Sequence, residues 1–211
     1  MRHEPALLLG IVAAVFVALG AAPKADRVTW LLENAPVLVA APLLVATRRR
    51  FPLTPLAYRL IFLHALVLMV GGHWTYERVP LGEWARGAFG LARNPYDRLG
   101  HFVQGFVPAI LAREGLRRMT PLRGGWLAFL VVCVCVAISA AWELFEWLAA
   151  VVLGQGADAF LGTQGDPWDT QADMSLALVG AVLAVALLSR LHERQVLRLL
   201  QPLERPSSVS T

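Results

Sequence analysis

Asp97, His101 and Gln104 follow one another at intervals of four and three residues, the repeat of a single helix face. An aspartate and a histidine one turn apart can chelate a metal, or the aspartate can orient the imidazole as a base. A plain interfacial helix start would explain Asp97 through the helix dipole, but not the two residues beneath it. Glu143 and Glu146 stand three apart in a second apolar run, with Ser139 one turn from Glu143. Glu143 precedes the end of that run, Val152, by nine residues, roughly 13 Å at 1.5 Å per residue. An acid at such depth costs roughly 2.5–3.5 kcal/mol on insertion scales. It therefore has to face the bundle interior and find a partner, or be protonated; a salt bridge to Arg98 is the simplest structural alternative.

Four further acids, Asp158, Asp166, Asp169 and Asp173, crowd one glycine-rich re-entry into the last apolar run. Their spacing does not match a calcium loop, which needs alternating oxygen ligands closed by a glutamate. Asp169 suits a helix cap, and Asp173 stands one turn further in on the same face. His73 ends a third run at the same level, after Gly71 and Gly72. His64 lies alone in mid-run, where a hydrogen bond to a neighbouring carbonyl is expected. His73, Asp97, His101, Asp169 and Asp173 form a candidate ligand set for zinc, manganese or iron, or for magnesium if the imidazoles stay out. Glu143 and Glu146 are the candidate general bases. Gln104, Asp158, Gln164 and Asp166 are the candidates to hold a substrate.

Six stretches long enough to cross a membrane carry these residues: Ala6–Ala22, Val28–Ala46, Leu56–Gly72, Tyr96–Ala112, Trp126–Val152 and Thr170–Leu188. The expected fold is an all-α polytopic bundle, a single domain over 1–200 with a disordered cytoplasmic tail over 201–211. Hydrophobic residues make up 57% of the chain and charged ones 16%, with a mean hydropathy of +0.56. A soluble domain carries about 25% charged residues, so lipid is the expected environment. The pI of about 9.7 does not point to nucleic acid, because the arginines flank the apolar runs. The apolar start of the chain does not read as a cleaved signal, since the remainder is equally apolar. Pro36 and Pro42 are expected to kink the second stretch, and Val79–Pro95 reads as an elbow on the membrane surface. Cys133 and Cys135 read as small buried hydrophobes.

With the N-terminus inside, only Lys24, Arg27, Arg78, Arg86, Arg93 and Arg98 of the 19 basic residues fall outside, six against 13. The positive-inside rule then makes both termini cytoplasmic. Eleven of the 15 acids, and every tryptophan but Trp126, map to the outer half. Within that half Arg98 is the one basic side chain expected among the motif helices at the depth of the acids.

At these motifs the chain resembles the YjdF-like family of bacterial inner-membrane proteins. The matching stretches are Gly71-Gly72-His73 with Tyr76, Val79-Pro80-Leu81-Gly82, Tyr96-Asp97-Arg98, Gly100-His101-Phe102, Gln104-Gly105-Phe106 and Ala112-Arg113-Glu114. They continue with Trp142-Glu143, Glu146-Trp147, Ala157-Asp158, Phe160 through Asp166, Trp168 through Gln171, and Asp173-Met174. The resemblance implies a multi-pass inner-membrane protein and brings no established activity.

The residues themselves favour a metal-dependent hydrolase or related enzyme, facing the periplasm and acting on a lipid or lipid-linked substrate. No G-x-S-x-G element is present to suggest a serine hydrolase. The alternatives are a small proton-coupled transporter and a structural membrane protein. Membrane lipids are the expected partners.

Overall fold

Prolines and short polar caps set where the helices begin. The computed structural model describes residues 3–153 and 163–201, and these contain eight helices. Four of them, α1 (Glu4–Ala21), α3 (Ala35–Thr47), α4 (Pro55–Trp74) and α5 (Pro80–Phe89), carry a proline in the first turn, where its missing N–H leaves no bond unmade. In α2 (Arg27–Glu33) the Asp26 carboxylate caps the amides of Val28 and Thr29 at 2.9 and 3.0 Å. The remaining helices are α6 (Tyr96–Met119), α7 (Gly124–Leu153) and α8 (Asp169–Leu200).

The second expected span is a bent pair. α2 and α3 meet at Asn34 with a bend of 47°. The break precedes Pro36 because that proline cannot donate back to the carbonyl one turn earlier; Asn34 Nδ2 donates to the Trp30 carbonyl at 2.8 Å across the break. Pro42 sits inside an unbroken α3.

Among the described residues four helices, α1, α4, α7 and α8, are long and apolar enough to cross a membrane, and the α2–α3 pair is long and apolar enough to make a fifth if it counts as one span. α6 is helical over the fourth expected stretch and beyond, but it is the least apolar of the long helices. It lies at the centre of the bundle, packed against α8, α7 and α4, so its surroundings are mostly protein rather than lipid. α6 and α8 approach most closely at Gly105 and Gly180. A Cβ at Gly105 would overlap the Ala177 carbonyl, and one at Gly180 would overlap the Phe102 carbonyl. Beneath this contact lies the main core, which includes Ala109, Ile110, Val131, Cys135, Ala181 and Ala184. Cys135 is buried there as expected, whereas Cys133, two residues away and on the opposite helix face, is exposed at the bundle surface.

The elbow between α4 and α6 contains the short helix α5. Leu81, Trp84 and Phe89 are exposed on it, and Gly82 packs directly on the Asn94 side chain. At the end of α4, Thr75 and Tyr76 take left-handed conformations, φ 64° and 40°. This turns the Tyr76 ring back between Gly71 of α4 and Gly100 of α6, both too close to it to carry a side chain freely.

Candidate functional site

The first turns of α6 and α8 meet at one end of the bundle and bring Asp97, His101 and Asp173 together. All three are buried, and one ligand atom from each lies within 4.8 Å of the others. The imidazole stands between its neighbours. Its Nε2 is 3.6 Å from Asp97 Oδ1 and 4.0 Å from Asp173 Oδ2, while its Nδ1 is 3.6 Å from Glu143 Oε1. These gaps are too long for hydrogen bonds. His101 Nδ1, Glu143 Oε1, Asp173 Oδ1 and the Ser139 hydroxyl are accordingly buried without a hydrogen-bond partner among the described residues. Sequence spacing supplies Asp97 and His101 one turn apart, and the close contact at Gly105 and Gly180 carries Asp173 to them.

Two arginines, not one, stand at this level. Arg93 binds Asp97 at 3.0 Å and also contacts Asp169. Arg98 binds Asp166 at 2.7 Å and Asp169 at 3.1 Å, and its Nε lies 3.6 Å from Asp173. Arg93 precedes α6 and reaches Asp97 one turn later, a contact that loop placement hides in the sequence. Arg98 is thus committed to the loop acids rather than to Glu143. Around His101 and the top of the cavity stand the carboxylates of Glu33, Asp97, Glu143, Glu146 and Asp173, with those of Asp166 and Asp169 held by these two guanidinium groups.

The other expected residues have different placements. Asp169 is not the cap of α8: it is the first helical residue, with Trp168 before it, and its carboxylate is held by both arginines. Asp166 accepts from the Trp168 amide at 2.9 Å, which together with Arg98 keeps its carboxyl below the usual range. Gln164 clamps Asn94, accepting from its amide at 2.9 Å and donating to its carbonyl at 3.2 Å. His73 is outside the three-residue group; its Nδ1 pairs with the Leu19 carbonyl at 2.9 Å. His64 Nε2 is buried and makes no carbonyl bond among the described residues. Asp158 lies outside the described residues.

Gln104, Glu146 and His64 line a cavity of about 560 Å³ that reaches down from Asp97 and His101 between α3, α4, α6 and α7. Trp142 Nε1 donates to Glu146 Oε1 at 2.6 Å. Glu33 and Tyr76 line the same cavity, and sequence reading did not single them out. Glu33 ends a short helix with no titratable neighbour at helical spacing, so only the fold reveals it.

A second buried cluster lies at the opposite end of the same helices. Glu114 is fully buried and accepts from the Thr54 hydroxyl at 2.8 Å, from Arg118 at 2.8 Å and from His192 Nε2 at 3.0 Å. Arg113 donates to His192 Nδ1 at 2.8 Å and to Glu193 at 2.7 Å. Because a guanidinium only donates, His192 Nδ1 is the acceptor and its proton sits on Nε2, facing Glu114.

A family model described as "Predicted membrane protein (DUF2238)" matches residues 4–194. The chain belongs to this family. Over 174 residues it is 59% identical to "Inner membrane protein YjdF" of Escherichia coli (strain K12), covering 82% of this chain and 83% of that protein. No solved structure matches it. The resemblance read from the motifs therefore holds, as does the inner-membrane location.

Proposed function

We propose that this family member is a membrane-embedded, metal-dependent hydrolase whose site faces the periplasm and acts on a lipid or lipid-linked substrate. The carrying observation is His101 Nε2 set between Asp97 and Asp173. Modest inward movement would let these three atoms coordinate one zinc, manganese or iron ion. Glu143, on the far side of the ring, would then accept a hydrogen bond from Nδ1–H and fix the tautomer, as carboxylates behind metal-bound histidines do. The metal would polarise a water toward hydroxide, with Glu146 as general base at the cavity wall and Gln104 beside the substrate. Asp169 and Asp166 would hold the arginines that frame the site.

Purified protein should contain a divalent metal by elemental analysis. Chelator should lower its melting temperature, and added zinc or manganese should restore it. His101→Ala should abolish this response and His64→Ala should retain it. Metal-free protein with an unchanged melting temperature in chelator would sink the hydrolase reading. It would favour proton-coupled transport, for which the unpartnered His64 midway down the cavity is the supporting feature.

We also infer six crossings, made by α1, the α2–α3 pair, α4, α6, α7 and α8, with α5 on the outer surface and both termini cytoplasmic. The six-against-13 basic asymmetry supports this. A reporter fusion active outside at either terminus would overturn it.

A further inference from the structure

The acids lining the cavity outnumber what one metal ion would use. Glu33, Asp97 and Glu146 all face it, with His101 beside them, and no lysine or arginine among the described residues lines it. Glu33 is only 5% exposed, yet its carboxylate makes no hydrogen bond or ion pair among the described residues. A buried carboxylate without a partner is costly when ionised, and a bound cation would let it keep its charge in an apolar cavity. Two aromatic rings, Tyr76 and Trp142, line the same end, and such rings attract ammonium groups through their faces.

The rest of the cavity is hydrocarbon. It runs along α6 from Asp97 to Leu111, roughly 20 Å at 1.5 Å per residue. Its volume of about 560 Å³ leaves space for an alkyl chain along that length. Leu43 of α3 and Ile138 of α7 line it and are also exposed on the bundle surface. No extended packing joins α3 to α7, so a slot between them opens sideways to the lipid.

We propose that this cavity binds an amphiphile with an ammonium head, which slides in between α3 and α7. Glu33 is the counter-ion, Tyr76 and Trp142 flank the head, and the alkyl chain lies against Leu43, Leu111 and Ile138. This site goes beyond the hydrolase reading and does not need the metal.

The test uses the full chain in lipid nanodiscs, in both chelated and zinc-loaded forms, with radiolabelled dodecyltrimethylammonium as probe. Saturable binding is expected in both forms. Dodecanol and dodecyl phosphate should compete at least roughly tenfold less well, because they lack the charge that pairs with Glu33. Tetramethylammonium, which has the head but no chain, should compete poorly too. Glu33→Gln should weaken binding roughly 30-fold, as expected when one partner of a buried charge pair is removed. Should that variant not fold, Trp142→Leu keeps every acid and should weaken the cation roughly fivefold while leaving dodecanol unchanged. Equal affinity for dodecanol and the cation, or unchanged cation affinity in the folded variants, would overturn the proposal. His101→Ala separates the two readings, since it should lose the metal response and keep the cation.

Discussion

The two ends of the α6–α8 pair hold similar side chains in opposite conditions. At one end Glu114, His192, Arg113, Glu193 and Thr54 satisfy one another, and none of their buried side-chain atoms is left without a hydrogen bond. At the other end His101, Glu143 and Asp173 stand 3.6 to 4.0 Å from their neighbours, with buried atoms unbonded among the described residues. Buried polar groups normally pair, because leaving one unmade costs about 1–3 kcal/mol. A chain that closes one network completely and leaves the other spread apart has one end built for holding helices and another built for holding something else.

The largest expected effect is at the closed end. Glu114→Gln should lower unfolding stability by about 3–5 kcal/mol, since it leaves buried cationic and imidazole donors without their anion. The matching change at the open end, Asp173→Asn, should not destabilise the metal-free protein, because it removes one of several mutually repelling acids. Thermal unfolding of both variants in the presence of chelator gives the contrast, and equal losses would erase it.

The next effect concerns the ion. A metal at a hundred times its dissociation constant should stabilise the native protein by about 2.7 kcal/mol. His192→Ala should unfold earlier than wild type but keep that increment. His101→Ala should lose the increment without the large structural loss. A metal response that follows His192 would reverse the assignment of the two ends.

A smaller effect tests how the open end keeps its shape. Its loops are tied through Asn94, which is fully buried and bonded to Val79, Glu83, Tyr96 and Gln164. Asn94→Ala should cost about 1–3 kcal/mol and weaken metal retention as well, measured by dialysis against chelator. Undiminished metal retention would mean the helices alone position the ligands.

The smallest effect is an acid limb. Asp166 is held below the usual carboxylate range, first by the Trp168 amide and then by Arg98. Its contribution to stability is fully present above about pH 4 and is lost as pH falls through its lowered folded-state value. Asp166→Asn should flatten that part of the stability–pH curve. An unaltered curve would show that other carboxylates set it.

The helix pattern was legible because apolar runs of span length announce themselves, and all six expected stretches are helical. Asp97 with His101 was legible because four-residue spacing fixes a shared face. Asp173 could be suspected from its position, but its approach to His101 depends on two glycines whose meeting no spacing reveals. Arg93 was hidden because it lies in a loop and acts across a turn. Glu33 was hidden because its surroundings come from three other helices. Glu114 and His192 went unread for a similar reason: 78 residues separate them, and neither sits in a local cluster that points to the other.

That separation bears on how the protein comes into being. Asn94 and Gln164 are 70 residues apart, and Asp173 stands at the start of the last helix. Contacts so distant in sequence form late, after the chain between them has been laid down. A nascent chain paused before α8 would carry Asp97 and His101 in a helix but no Asp173 as third ligand, and its Glu114 would have Thr54 and Arg118 but not His192. Both ends of the bundle therefore wait on the same final insertion. A protein truncated before α8 would lose its binding capacity and its buried Glu114–His192 pair together.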